Sequence, residues 1–597
     1  MERATEGTNV PAFSPQGLME LYVRGRHDEL SEQLIAVLRY FRGSTYRELD
    51  ANGQRFVNRF MTLFLTLFTQ ADYQPRREHL LQFVWLNATI SNLAALSCLG
   101  GTSPYLALVE DAPKDLGKRL TLLSARNTDE FRRVEFFDAD PVLASLWYGS
   151  YAQLYNSGVL REEVCANLRT HFADADERLD ARHAPLDAYF ASTYSGQDGE
   201  RVVKQAMNGA FRRLIADQGI RVRNQADPRK IAVITGNWRP GHSVYRICRA
   251  FVEALEGYDL TLVTLGQGGS FDTGLFREVL AVETRPDGAV DVRPLLDNTF
   301  GVVYYPDVGL KAASVLLSNL RLAPVQITSM GHPASTWGSE IDYFVSGAEA
   351  ETADHPERNY SERLVLLPGC GAVHERPDFN AETRARAGSG AEIILNCPWN
   401  AQKLNDAFAR TLRAMLDRAR RPIVFRLFVN RSLDKQNDFL PFVRDIEALL
   451  GRGRVEVLGG LTYREYMARM AEGDLTIDSH PFGGCNSVAD SLFLRKLTVT
   501  YESDRWYGRI GSWMVRQAGL PELAARSEAE YLDVIHRLVH EEEYRAVMQE
   551  RLDNADLDGT VFARDEGAAF RRAVDFLVAN HERLKVEPDR SPICIGR

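Results

Sequence analysis

Leu475-Thr-Ile-Asp-Ser-His-Pro-Phe-Gly-Gly-Cys-Asn-Ser-Val-Ala-Asp490 decides how the chain is read. A short apolar run, Leu475 to Ile477, predicts a buried strand. Proline and two glycines then predict a loop, and small polar residues leading into Val488-Ala-Asp-Ser-Leu-Phe-Leu predict a helix opening near Ser487. The first turn of such a helix presents unpaired N–H groups and the positive end of its dipole, which suits a diphosphate. Gly483 and Gly484 would let the backbone approach that anion. Asp490 falls about one turn further on, on the side of Asn486, where a carboxylate can accept hydrogen bonds from ribose hydroxyls. An ordinary strand–turn–helix connection has the same outline, so the rest of the chain has to choose between the two.

The chain has 597 residues, too many for one core, and its length points to three or four domains. With 45% hydrophobic and 25% charged residues it reads as a globular protein, and its net charge of −10 disfavours a nucleic-acid role. Met1 to Gln16 contains no apolar signal segment, and Phe60-Met-Thr-Leu-Phe-Leu-Thr-Leu-Phe68 is too short to span a membrane. The seven cysteines show no CxxC or zinc spacing, which fits a reducing compartment. The expected location is cytoplasmic.

Residues 1–225 are expected to form an all-α domain. Apolar residues recur there at helical spacing, as in Leu34-Val37-Leu38-Phe41, and further helices are expected over 56–71, 80–99, 141–154, 161–172 and 202–214. Asp138-Ala-Asp140 and Asp174-Ala-Asp176 match the metal-binding DxD pattern superficially. Without a preceding apolar strand they read as helix ends or turns. Arg221 to Arg229 is expected to link to the next domain.

From Lys230 the period changes. Buried strands at 230–236, 260–264, 302–305, 325–328, 343–345 and 364–367 alternate with helices, which predicts a mostly parallel sheet over 226–380. Ligands bind such sheets at the carboxyl ends of the strands. Two ends there carry histidines: Gly236-Asn-Trp-Arg-Pro-Gly-His242, at the start of a helix, and Gly331-His332-Pro333. His242 can act as a general base or donate to a sugar or phosphate oxygen. Leu265-Gly-Gln-Gly-Gly-Ser270 hints at a dinucleotide fingerprint but lacks the last glycine spacing. A second series of the same kind fills 381–597, with strands at 392–396, 423–429, 455–458, 475–477 and 497–500. Lys403 is expected in the opening turn of a helix from about Gln402 to Ala419, where a cation can neutralise a phosphate leaving group. Two Rossmann-like domains in series make an α/β architecture of the GT-B type, shared by nucleotide-sugar transferases, some epimerases and phosphorylases.

Three motifs together resemble glycosyltransferase family 41: Gly241-His-Ser-Val-Tyr-Arg246; Arg321-Leu-Ala-Pro-Val-Gln326 with Gly331-His-Pro-Ala334; and His480-Pro-Phe-Gly483 with Asn486 and Asp490. They are most similar to its bacterial cytoplasmic N-glycosyltransferases, which glucosylate asparagine of adhesins, and more distantly to the O-linked N-acetylglucosamine transferases. The resemblance runs from about Lys230 to Leu523. It implies an inverting, metal-independent transfer from a UDP-hexose to a protein acceptor, with no cofactor. His242 matches the family's active-site histidine and Lys403 its diphosphate-holding lysine. Asn486 and Ser487 match the phosphate positions, Asp490 the ribose carboxylate and His332 the histidine near the donor. Asn400 and Asn430 match polar positions facing nucleotide or sugar. Cys485, Arg464 and Cys248 depart from the pattern, and they bear on the sugar and the acceptor atom. An O-transferase acting on Ser/Thr, a UDP-sugar epimerase and a non-catalytic binding protein with a vestigial cleft remain alternatives.

Overall fold

A computed structural model of the protein describes residues 14–43, 49–184, 186–195, 198–266, 270–285, 288–379, 392–429 and 439–596. The expected site residue Asn430 and residues 267–269 of the Leu265–Ser270 segment lie outside them. The chain divides into two compact units: Met1–Ala191 with Asn400–Arg410 and Phe428–Leu461, and Ser192–Trp399 with Thr411–Leu427 and Thr462–Arg597.

The first unit is mainly helical, as its periodicity predicts. In the helix Ala51–Phe68, Phe60, Phe64 and Phe68 recur every four residues and so share one face. Their rings are stacked at 6.0 and 5.1 Å, and Phe83 packs against Phe68 at 5.0 Å. The single helix expected over 80–99 is two, Arg77–Trp85 and Asn87–Leu96. At the break the buried Asn87 side chain donates to the carbonyls of Leu120, Thr121 and Leu123, at 2.9, 3.1 and 2.8 Å. Those carbonyls lie at the end of the helix Leu116–Leu122, where no intrahelical donor reaches them. The two DxD segments serve structure. Asp140 caps the helix Pro141–Ala152 through the N–H groups of Val142 and Leu143. Asp138 and Asp176 pair with Arg178, and Asp174 pairs with Arg133. No group able to hold a metal ion occurs among the described residues.

The second unit holds two parallel sheets. The first contains β1 (Arg223–Thr235), β2 (Asp259–Leu265), β3 (Glu278–Val282), β4 (Asp297–Tyr305), β5 (Val325–Thr328), β6 (Tyr343–Gly347) and β7 (Arg363–Leu367). The second contains β8 (Ile393–Cys397), β9 (Ile423–Phe428), β11 (Leu475–Ile477), β12 (Thr498–Tyr501) and β13 (Ala524–Ala525), while β10 (Val455–Leu458) belongs to the first unit. The last strand, β14 (Ile593–Cys594), returns to the first sheet, whose order is β14-β7-β6-β5-β4-β1-β2-β3. The second runs β9-β8-β11-β12-β13. Every paired strand with a recorded register is parallel. Central strands such as Ile231-Ala-Val-Ile234 are apolar at every position because helices cover both faces.

Two features differ from the sequence reading. The expected link Arg221–Arg229 is mostly the first half of β1, a polar and largely exposed stretch that still pairs with β4 from Arg223↔Asp297 onward. The C-terminal helix Glu566–Val586 packs on the first sheet's side of the unit, with Phe570 stacked on Phe251 at 4.6 Å and beside Tyr304 at 5.1 Å. No described helix is long and apolar enough to cross a membrane.

Candidate functional site

The strand–loop–helix forms as predicted: β11, a loop, then a helix over Asn486–Phe493. The loop is folded around Asp478, a residue the sequence reading passed over. Its Oδ1 accepts the N–H groups of Ser479 (2.9 Å) and Gly484 (2.7 Å), and its carbonyl accepts from the Tyr531 hydroxyl at 2.7 Å. Gly483 donates its N–H to the Tyr507 carbonyl at 3.0 Å. Both glycine amides are therefore engaged within the protein, and the glycines serve packing. A Cβ on Gly483 would lie 2.8 Å from Asp478 Oδ2, and one on Gly484 would lie 2.5 Å from Ser487 Oγ. What stays open to an anion is the helix start. Cys485 occupies the N-cap without a side-chain cap bond, so the first-turn amides of Asn486 and Ser487 have no capping acceptor.

This helix meets the helix Ser243–Glu253, which follows β1. Asn486 Nδ2 donates to the Ser243 carbonyl at 3.2 Å. Arg246 Nη2 donates to Asp490 Oδ1 at 2.7 Å, and its Nη1 lies 3.4 Å from Oδ2. The Tyr463 hydroxyl also donates to Oδ1, at 2.8 Å, and the Arg246 guanidinium lies over the Tyr463 ring, 5.3 Å from its centroid. Asp490 is buried, so burial would cost heavily if the charge were unpaired. Burial opposes the Arg246 charge as well, but Asp490 overcomes it and holds the guanidinium protonated more firmly than in water. Oδ1 is thus saturated, and Oδ2, with one long contact, is the oxygen able to take a ribose hydroxyl.

His242 is the N-cap of its helix, and its Nδ1 accepts the Val244 N–H at 3.2 Å. A neutral ring with Nδ1 accepting carries its proton on Nε2. Burial, then Arg239 and Lys311, lower its pKa to about 4. In this geometry His242 offers an Nε2–H donor, and of the two roles expected of it, donation to an oxygen fits and proton abstraction does not. Near the ends of β1 and β4, the buried Asp307 accepts from Asn237 Nδ2, and burial pushes its carboxyl up to about 7.

His332 is placed otherwise. It is buried, with Nδ1 against the Val308 carbonyl and Nε2 3.3 Å from Thr193 Oγ1. Burial, reinforced by Lys204, lowers its pKa to about 3. With both ring nitrogens engaged, it holds the 193 segment against the strand end.

Asn400 and Lys403 belong to the first unit. Asn400 is the N-cap and Lys403 the last residue of a single 3-10 turn, Ala401–Lys403, ahead of a helix that begins only at Asp406. Lys403 is therefore not in the helix's opening turn. The turn is fixed to the helical region: Gln402 Nε2 donates to Asn156 Oδ1 at 2.6 Å, and the Val159 N–H donates to the Leu404 carbonyl at 3.1 Å. Among the departures from the family pattern, Arg464 is exposed and Cys248 is buried. A cavity of 450 Å³ lined by Glu349, Trp513, Gln517, Thr560, Glu566 and Arg572, among others, includes none of the sequence-predicted site residues. Residues missed by sequence reasoning are Asp478 and Tyr463. Arg246 stood in a quoted motif without a role, and its spacing from His242, one helical turn, was the available signal.

No family model matches the sequence. Among curated proteins, the chain is 24% identical over 396 residues to a UDP-glucose:protein N-beta-glucosyltransferase of Actinobacillus pleuropneumoniae serotype 5b (strain L20), covering 64% of this chain and 62% of that protein. It is 26% identical over 263 residues to a probable UDP-N-acetylglucosamine–peptide N-acetylglucosaminyltransferase, SPINDLY, of Solanum lycopersicum, covering 42% of this chain and 28% of that one. The chain thus spans less than two thirds of these relatives. Among solved structures, a mutant O-GlcNAc transferase of Thermobaculum terrenum matches with a TM-score of 0.55 at 16% identity, over 98% of both chains. The fold is accordingly GT-B, two Rossmann-like sheets with a helical N-terminal region, and the relatives bear out the resemblance to glycosyltransferase family 41.

Proposed function

We propose that the protein is a UDP-sugar-dependent protein glycosyltransferase that moves a hexose, glucose, to asparagine in Asn-x-Ser/Thr. The observation that carries this reading is the uncapped start of the Asn486–Phe493 helix beside Asp490 and next to the His242-bearing helix end. The Asn486 and Ser487 amides receive the diphosphate, Asp490 Oδ2 receives the ribose, and His242 Nε2–H donates to a phosphate or sugar oxygen. Lys403 neutralises charge on the departing UDP as the bond from sugar C1 to the phosphate oxygen breaks. The acceptor nitrogen bonds C1 from the opposite face, inverting it, and releases its proton to water. A helix dipole and a lysine supply the charge that a metal would otherwise provide, so the reaction is proposed to need none. Asn400 is proposed to face the nucleotide or sugar, and His332, both ring nitrogens engaged, to act near the donor by holding its strand end in place. The acceptor is proposed to be an adhesin-like protein, met in the cytoplasm.

The similarity to SPINDLY favours a second reading, transfer to Ser/Thr. The two separate by intact-mass analysis of an Asn-x-Thr peptide and a Ser/Thr-only peptide, each incubated with the protein, a panel of UDP-sugars and EDTA. A hexose increment on the Asn peptide alone is expected. An increment only on the other peptide would move the reading to an O-transferase, and none on either would remove it.

A further inference from the structure

The 450 Å³ cavity opens at the carboxyl ends of β6 and β7, the place where open parallel sheets bind ligands. Glu349 and Pro368–Gly369 follow those two strands, and the helix Ile510–Gln517 brings Trp513 and Gln517 to the same space. Its inner wall is the carboxylate of Glu566, at the start of the C-terminal helix. That carboxylate is folded into the turn after β7: the Cys370 N–H donates to Oε1 at 2.9 Å, and the Gly371 N–H to Oε2 at 2.7 Å. A Cβ on Gly369 would lie 2.2 Å from Oε1, so glycine is what leaves room for it. Glu349 is near enough to repel the Glu566 charge, and its own Oε2 accepts the Trp513 indole N–H at 3.1 Å. A second cavity, of 530 Å³, adjoins the first through two shared residues, Gln517 and Thr560, and reaches the helix Glu542–Asp553. Each is of a size that holds a small organic molecule.

The charges along this space narrow the ligand. The first cavity presents Glu349, Asp565 and Glu566, and the second Glu550 and Asp556. The bordering guanidiniums are committed elsewhere: Arg572 donates to the Gly596 carbonyl at 3.0 Å, and Arg551 to Glu522 at 2.8 Å and to the Gly519 carbonyl. The excess of carboxylates sets up a negative potential that a cation relieves. Those carboxylates are strung out rather than gathered at a point, since no group of three or more among the described residues could hold a metal ion. The indole of Trp513 adds an aromatic wall suited to an ammonium and its methylene neighbours. We propose that the two cavities form one binding site for a linear polyamine, with ammonium groups received by Glu349 and Glu566 at one end and by Glu550 and Asp556 at the other. This site is independent of the nucleotide reading.

Glu566 gives the site a signature. Burial first, with Glu349 adding to it, pushes its carboxyl up to about 7, while the Cys370 and Gly371 amides and the Cys370 thiol act the other way. Asp565 and Arg572 are the other charged groups lining its cavity. The carboxyl is thus about half protonated at pH 7, and an ammonium placed beside it drives the proton off.

The test is calorimetric titration of the full chain with spermidine at pH 7, in buffers of different ionisation enthalpy. Saturable binding with release of up to about half a proton is expected. Glu349→Gln and Glu550→Gln, both at exposed positions, should each weaken spermidine about fivefold. Magnesium chloride at matched ionic strength should not displace it. Absence of spermidine binding would overturn the proposal, as would unchanged affinity in either variant. Displacement by magnesium would reduce the effect to general screening and sink the site. Binding without proton release would put the cation away from Glu566 and refute the site as described.

Discussion

Replacing Arg246 by methionine probes the contact between the two helix starts. Methionine fills much of the arginine volume and removes the charge. Arg246 and Asp490 side chains are 10% and 4% exposed, and their closest contact is 2.7 Å. Deleting one partner of such a buried pair strands the other charge, at a cost of about 3–5 kcal/mol. The Tyr463 hydroxyl still donates to Asp490 and retains a bond of about 1.5–3 kcal/mol, which places the loss near the lower end, about 3 kcal/mol. Asp490→Leu should cost a similar amount by stranding Arg246. The double variant carries no buried charge at this point and should recover most of the loss, with a coupling of about 2–3 kcal/mol. UDP binding, by contrast, should be absent in the double variant, because Asp490 Oδ2 is gone. Urea denaturation of the four proteins measures the cycle, and calorimetry measures binding. A cost below about 1 kcal/mol for Arg246→Met, the range of exposed ion pairs, would refute the reasoning.

Lys403→Ala should lower turnover by about two orders of magnitude or more, read in a UDP-release assay, as expected for loss of one electrostatic stabiliser. His242→Gln, which keeps a donor, should retain more activity than His242→Phe, and wild-type activity should show no histidine limb between about pH 5.5 and 7.5, since the ring titrates at about 4. Two pairs of buried groups should move stability in opposite directions on the acid side of neutrality. His332 and His374, at about 3 when folded, bind protons near 6.5 only when unfolded, so stability is lost as pH falls below about 6.5. Asp307 and Glu566, raised to about 7, keep protons that the unfolded chain releases near its ordinary carboxyl pKa, so their contribution is lost progressively as pH rises toward 7 and is gone above it. Thermal melts of Asp307→Asn should show a shallower decline from pH 5 to 7 than the wild type.

The alternation of apolar strands with amphipathic helices made both sheets legible, and the Thr462–Glu465 capping box marks the helix start that the structure shows. The early half of β1 was not legible, because its charged, exposed residues pair with β4 through backbone bonds that leave no hydrophobic signature. Nor could the return of Glu566–Val586 to the first sheet be read, since an amphipathic helix does not say which sheet it covers. His332 resembled a ligand-binding histidine by its place at a strand end. Its burial under Thr193, 139 positions away, is a long-range contact that spacing cannot reveal. Asp478 escaped for the same reason: it is a single residue whose carbonyl is held by Tyr531, 53 positions away.

The most direct test of the account is hydrogen–deuterium exchange of the protein with and without UDP. Amide protection concentrated in the peptides that contain 483–490 is the predicted result, with a smaller effect at 241–247. Binding of UDP with protection confined instead to the peptides around 559–572, which line the separate 450 Å³ cavity, would contradict it.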